Sequence, residues 1–397
     1  MVAGADLMPP YLRLGRVPPK RHVVHRRTDS GHRGEGIYYE EVITLAGFSR
    51  GYSILYHLRP PTRVRRIEAA GWVEAPLADD TVLRHHHLRT GSMARWGDPI
   101  TGRVALLLNR DVVISRCRPE SPQSELFRHA DADELIFVHA GRGILSCPLG
   151  VVAFGPFDYL VIPRCTTYRL DFEKIDEADL LIVEGRGTIA VPRRYLNPDG
   201  QLRLGAPYSE RDLRGPVWVE PVDREEETSV LIQDGWRRTR YVLASDPFDV
   251  VGWDGVVYPY AFHALDFEPI TGTVHQPPPV HQTFESDGFV VCTFAPRLLD
   301  THPEAIKVPY AHSNVQADEV LYYVAGQFGS RRGVEAASVT LHPRGIPHGP
   351  HPGTIAASRH AVRTDELAVM IDTEAPLQLT SAALDLDDPE YPRSWLD

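Results

Sequence analysis

An all-β protein built from two tandem β-barrels, with few short helices, is predicted by three features of the sequence. Short β-branched and aromatic runs recur along the chain, helical periodicity is almost absent, and one strand-like motif occurs twice. The runs include GRVALLLNRDVVIS, DYLVIPRC, DLLIVEG, GFVVCTFA, EVLYYVAG and ELAVMIDT, each set off by proline, glycine or polar turn residues. Short strands at close spacing are the pattern of a sandwich or barrel. Almost no stretch sustains apolar residues at the 3.6 period that a helix facing a core requires, so helices should be few and short.

The repeat organises the rest. Residues 132–141 read ADELIFVHAG and residues 317–326 read ADEVLYYVAG, so Glu134 and Glu319 stand 185 residues apart. Each glutamate is followed seven residues later by a glycine, Gly141 or Gly326. Downstream come VIPRC with Pro163 and GIPHG with Pro347, at offsets of 29 and 28. Two copies of one folding unit account for this. The chain accordingly divides into an N-terminal arm with strands packing on the barrels (1–100), a first barrel (101–190), a connecting segment (191–244) and a second barrel (245–397). The first repeat anchors its barrel, and NPDGQLRLGAPYSERDLRG reads as irregular connection.

Composition narrows the function classes. A formal net charge of −11 argues against general nucleic-acid binding. No apolar run is long enough to span a membrane, and the basic residues near the start follow its few apolar ones, the wrong order for a secretory signal. A cytoplasmic location is expected. The local cluster Arg13, Arg16, Lys20, Arg21, Arg26 and Arg27 reads as an extended arm on the body or on a neighbouring subunit. Cys117, Cys147, Cys165 and Cys292 lie far apart and fit reduced, mostly buried thiols.

The second copy carries the chemistry. In VPYAHSNVQADEVLYYVAG, His312 and Asn314 are two apart and face one side of a strand, Glu319 follows, and Gly326 turns the chain. SVTLHPRGIPHGPH then supplies His342, His348 and His351. This resembles the two-part cupin signature, with Asn314 where a second histidine is usual. His312, Glu319 and His348 remain as two imidazoles and a carboxylate, a set suited to non-haem Fe(II) and able to hold Mn(II) or Zn(II). Asn314 is placed to orient a ligand ring.

The first copy serves as a control. Alignment on the repeat puts Phe127 at the His312 position, His129 at Asn314 and Arg164 at His348. With two ligands gone, the first barrel is expected to be metal-free and structural. The cluster His85, His86 and His87 has no carboxylate at ligand spacing, and solvent exposure or a subunit contact is expected for it.

With these residues assembled, the sequence resembles homogentisate 1,2-dioxygenase, a bicupin ring-cleaving family, and reads as a divergent, bacterial-type member. The resemblance covers most of the chain: GRVPPKRH, DPFDVVGWDGVVYPYAFHALDFEPITGTVHQPPPVH, then VPYAHSN, DEV and LHPRGIPHGPHPG. The family's iron-binding P-Y-Y-H-R-N histidine falls on His312, its carboxylate on Glu319 and its P-H-G-P histidine on His348. Its active-site histidine falls on His275, the histidine six residues before the last ligand on His342, and a substrate-side tyrosine on Tyr310. The resemblance implies Fe(II), O2 as co-substrate, and extradiol-type opening of homogentisate to maleylacetoacetate in tyrosine and phenylalanine catabolism. His275 would be the general base or hydrogen-bond partner of a ring hydroxyl. It also implies a homo-oligomer.

Two departures fall in the substrate shell. The family's arginine after the ligand histidine is Ser313 here, and a second pocket tyrosine matches Phe328. His281 and His351 are weaker candidates for the rim or for support behind the ligands. Three rival readings stay open: cleavage of another hydroquinone or a gentisate-like phenol, non-oxidative chemistry on Mn(II) or Zn(II), and a non-catalytic binding or storage bicupin.

Overall fold

A computed structural model describes residues 9–28, 35–80, 82–329 and 333–396. Among these residues the fold is nearly all β, and the only α-helices are the short segments Thr354–Ser358 and Ser381–Leu384. No helix is long and apolar enough to cross a membrane.

The sequence repeat is a repeat of strand pairing. Strand Asp133–Ala140 lies between Asp158–Ile162 and Asp179–Gly185, antiparallel to both. Strand Asp318–Ala325 lies likewise between Val339–His342 and Leu367–Thr373. Glu134 is therefore opposite Ile162 on one side and Glu184 on the other. In the second copy Glu319 is opposite His342 and Asp372. Residues directly opposed across a ladder point to the same face, so these rows set which side chains meet inside each barrel.

The repeated glycine has a backbone reason. Gly141 and Gly326 both adopt positive φ, at 99° and 87°. A Cβ on Gly326 would lie 2.3 Å from the Asp365 carbonyl oxygen, so a side chain is excluded by contact as well as by conformation.

The second copy lends strands to the first. Tyr260–His263 pairs with Asp158–Ile162 of the first copy, and Gln378–Leu379 pairs with Arg103–Leu108. From the N-terminal segment, His86–Leu88 adds to the edge of the sheet of the second copy, antiparallel to Val339–His342. The shared core is aromatic. Phe137 meets Tyr322 edge-on at 6.2 Å, Tyr159 meets Phe284 at 5.4 Å, and the Tyr159 hydroxyl bonds Thr293 Oγ1 at 2.8 Å. Each such fully buried ring contributes about 1.5–3 kcal/mol, and together they fasten one sheet to the other. The arm strand Leu12–Gly15 lies antiparallel to Val250–Gly255, on the body of the protein.

The expectation for the histidine cluster is overturned here. His85, His86 and His87 are only 8%, 3% and 2% exposed. The His86 ring bonds Asp387 at 3.0 Å, and the His87 ring bonds Ser338 Oγ at 2.9 Å. The reason is topological: the sheet edge needs a partner strand, and the carboxylate that satisfies His86 lies 301 residues away in sequence.

Candidate metal centre

Glu319, near the start of its strand, projects into the barrel between two pairing partners. On one side His342 Nδ1 donates to Glu319 Oε1 at 2.8 Å. A carboxylate only accepts, so this contact puts the proton on Nδ1 and leaves His342 Nε2 to accept from the Tyr391 hydroxyl at 3.1 Å. The row Tyr391–His342–Glu319 thus orients the carboxylate from behind.

The two other predicted ligands arrive on coil rather than strand. Among the described residues no strand runs between Leu298 and Asp318. His312 and His348 instead form an isolated bridge, exchanging backbone bonds of 2.8 and 2.9 Å. A third backbone bond, Gly345 N–H to the Asn314 carbonyl at 2.7 Å, extends this clasp. Gly349 makes it possible, since a Cβ there would stand 2.5 Å from Ala311 Cα. The P-H-G-P text is therefore a packing requirement as well as a ligand motif.

The three side chains converge. One donor atom each from His312, Glu319 and His348 lies within 4.8 Å of the others, the only such grouping among the described residues. His312 Nε2 is 3.6 Å and His348 Nε2 is 3.3 Å from a Glu319 oxygen. The opposite ring nitrogens face backbone carbonyls: His312 Nδ1 is 3.3 Å from Tyr310 O, and His348 Nδ1 is 3.2 Å from Ile346 O. That arrangement holds the protons on Nδ1 and turns both Nε2 lone pairs inward, as a metal ligand requires.

The residues fit a cation on their own geometry. His348 Nε2 is buried without a hydrogen-bond partner, and an orphaned buried nitrogen is costly unless something occupies its lone pair. Burial alone would raise the Glu319 carboxyl, but His312, His342 and His348 outweigh it and hold the group well below the usual carboxylate range. The carboxylate is thus held anionic beside the two ring nitrogens.

Sequence reasoning missed Asp372. It lies in register with Glu319 on strand Leu367–Thr373, and its Oδ1 is buried without a partner. Burial and the Glu319 charge push this carboxyl up to about 7, with His312 pulling the other way. The available signal was an acid embedded in the apolar run LAVMID.

The remaining predicted residues separate into near and far. His275 is half-exposed at the rim, its Nδ1 bonded to Asp300 Oδ2 at 2.7 Å and its ring edge-on to Tyr310 at 5.3 Å. Tyr310 in turn meets His312 at 6.2 Å. His281 is buried against Phe294 at 4.9 Å and is driven down to about 3 by burial, with Arg297 and His275 adding to the effect. His351 is buried behind the ligand loop, bonded to Ser394 Oγ at 3.1 Å and edge-on to Trp395 at 4.6 Å. His85 packs 5.6 Å from His342 and 6.2 Å from His348, which brings the missed histidine cluster to the back of the centre. Ser313 is exposed beside His312. The structure does not bring Phe328 to the centre. It packs on Tyr323 at 4.8 Å, beyond the far end of a strand that runs about 20 Å from Glu319 to Ala325.

The first copy fills the equivalent place with an arginine. The Arg103 guanidinium donates to Glu134 at 2.5 Å, to Glu184 at 2.9 Å and to the Tyr168 hydroxyl at 2.9 Å. It lies 5.3 Å over the ring of Phe127, the residue at the His312 position. Arg164, at the His348 position, turns away to Asp133 at 2.8 Å and to the Gly187 carbonyl at 2.8 Å.

Fold and site together define a double-barrel all-β protein of the cupin type. Comparison with known proteins makes this specific. The family model described as homogentisate 1,2-dioxygenase N-terminal matches residues 112–264. A Saccharolobus solfataricus protein named "Putative dioxygenase SSO1533" is 41% identical, over 97% of this chain and 98% of that one. Homogentisate 1,2-dioxygenase of Rhodopseudomonas palustris is 23% identical, over 88% of this chain and 77% of its own length. Among solved structures, the cupin 2 conserved barrel domain protein from Leptotrichia buccalis aligns with 8% identity and a TM-score of 0.36, over 77% of this chain and 100% of that one. The chain belongs to the homogentisate dioxygenase family, as a divergent member.

Proposed function

We propose that this protein is an Fe(II)-dependent ring-cleaving dioxygenase acting on a para-hydroquinone of the homogentisate type. The observation that carries the proposal is the convergence of His312, Glu319 and His348 within 4.8 Å. These three would hold the ion on one face and leave the other face open to small ligands. Fe(II) so held supplies the electron density that ring opening by O2 requires. The names of the relatives support the same reaction class.

The chain's own residues do the rest. Asp300 holds the His275 proton on Nδ1, which makes Nε2 the basic nitrogen and suits His275 to take a proton from a ring hydroxyl. Tyr310, between His275 and His312, offers a hydroxyl and a ring face to an aromatic substrate entering from the rim. Tyr391 and His342 keep the carboxylate from rotating.

A second reading concerns the substrate alone. Ser313 cannot supply the cation that arginine gives the family at that position, and Phe328 lies away from the centre. Both features favour a hydroquinone or gentisate-like phenol with a different side arm. Anaerobic loading with Fe(II), followed by oxygen-electrode assays with homogentisate, gentisate and hydroquinone, separates these cases. Uptake with one of them is expected. A fully loaded protein that consumes no O2 with any of the three contradicts ring cleavage of this substrate class.

A further inference from the structure

Three observations converge on Asp372. It is directly opposite Glu319 in the ladder, so both carboxylates face the same side of the sheet. Its Oδ1 is buried and has no hydrogen-bond partner. Its counterpart in the first copy, Glu184, stands opposite Glu134 in the same way, and both of those oxygens grip one cation, the Arg103 guanidinium. The carboxylate pair is therefore the part of the site that both barrels retain, while the cation differs.

We propose that Asp372 is a second carboxylate of the metal centre, holding the divalent ion beside Glu319 by charge and through the ion's water shell. This rests on the metal reading of His312, Glu319 and His348. Charge balance gives the reason. Two neutral imidazoles and Glu319 offset only one of the two positive charges of a divalent ion, and a buried net charge is costly. Asp372, ionised with the cation bound, supplies the second negative charge. The orphaned oxygen is then explained, because a water carried by the ion would give it the missing donor. Sequence spacing does not reveal such a residue, since it enters from a strand 53 positions after Glu319.

The test is the dissociation constant for Fe(II), measured anaerobically by competition with a chromophoric chelator, for wild type, Asp372→Asn and Glu319→Gln. Asp372→Asn keeps the shape and removes the charge. Its affinity is expected to fall roughly 10–100-fold, the usual cost of losing a group that supports metal ligands. The metal-free form should melt no lower than wild type, a result that a merely structural role does not give. Asp372→Ser, measured in the same way, serves if the asparagine variant does not fold. Wild-type affinity in Asp372→Asn, alongside a large loss in Glu319→Gln, overturns the role of Asp372 and leaves the metal site standing. Equal affinity in wild type and Glu319→Gln overturns the metal reading itself.

Discussion

Arg103 donates to Glu134 at 2.5 Å, and Glu134 occupies the place in its strand pairing that Glu319 occupies in the other barrel. One barrel carries a permanent cation on a side chain. The other presents a carboxylate and two inward-facing imidazoles. This contrast inside one chain separates what the barrel needs for stability from what it needs for binding.

Replacing Arg103 by methionine keeps much of the volume and leaves Glu134 and Glu184 buried without their cation. Breaking a buried pair from one side costs about 3–5 kcal/mol, so Arg103→Met should melt well below wild type. Adding Glu134→Gln and Glu184→Gln to that variant should recover much of the loss. Thermal melts of the three proteins check both statements. Fe(II) affinity at His312, Glu319 and His348 should stay within about twofold, because sites that share no partners act independently.

Tyr391→Phe removes one hydroxyl, the donor to His342 Nε2 at 3.1 Å. Stability should change by about 1 kcal/mol, the value of a single hydrogen bond. Metal affinity should drop by roughly tenfold, because His342 loses what fixes it and Glu319 loses its fixed partner. Chelator competition and a thermal melt distinguish the two effects.

His275→Ala and Asp300→Asn should each leave iron loading intact, since neither residue is one of the converging donors. If His275 takes the substrate proton, its loss should lower kcat by about 10²–10⁴-fold. Asp300→Asn should lower it less. Steady-state oxygen consumption reads both outcomes.

A pH effect on stability arises far from the centre, at His57. Burial opposes charge on its ring, but hydrogen bonds to Asp249 at 2.7 Å and Glu41 at 2.9 Å outweigh it and raise the group from 6.5 to about 9. The folded value lies above the unfolded one, so the stabilisation is fully present below about pH 6.5 and is lost as pH rises through 9. The contribution is on the order of 3 kcal/mol. Melting temperatures from pH 6 to 10 should fall across that window, and His57→Gln should flatten the fall.

Much of the centre was legible because it is local. His312, Asn314 and Glu319 lie within one short stretch, His342 and His348 within another, and the repeat supplied the comparison with Phe127 and Arg164. The groups that orient them were not legible. Asp372 and His85 reach the site through strand pairing and Tyr391 through a hydrogen bond across 49 residues, and no spacing rule connects residue 85 to residue 342. The histidine run was misread for the same reason, because Asp387 and Ser338 come from the far end of the chain. Phe328, matched to a pocket tyrosine through the family resemblance, packs instead on Tyr323 at 4.8 Å.

The most direct measurement is iron content per chain after anaerobic Fe(II) loading and desalting, for wild type, Glu319→Ala and His348→Ala. The account predicts one iron per chain in wild type and little in either variant. One iron per chain in both variants would contradict it.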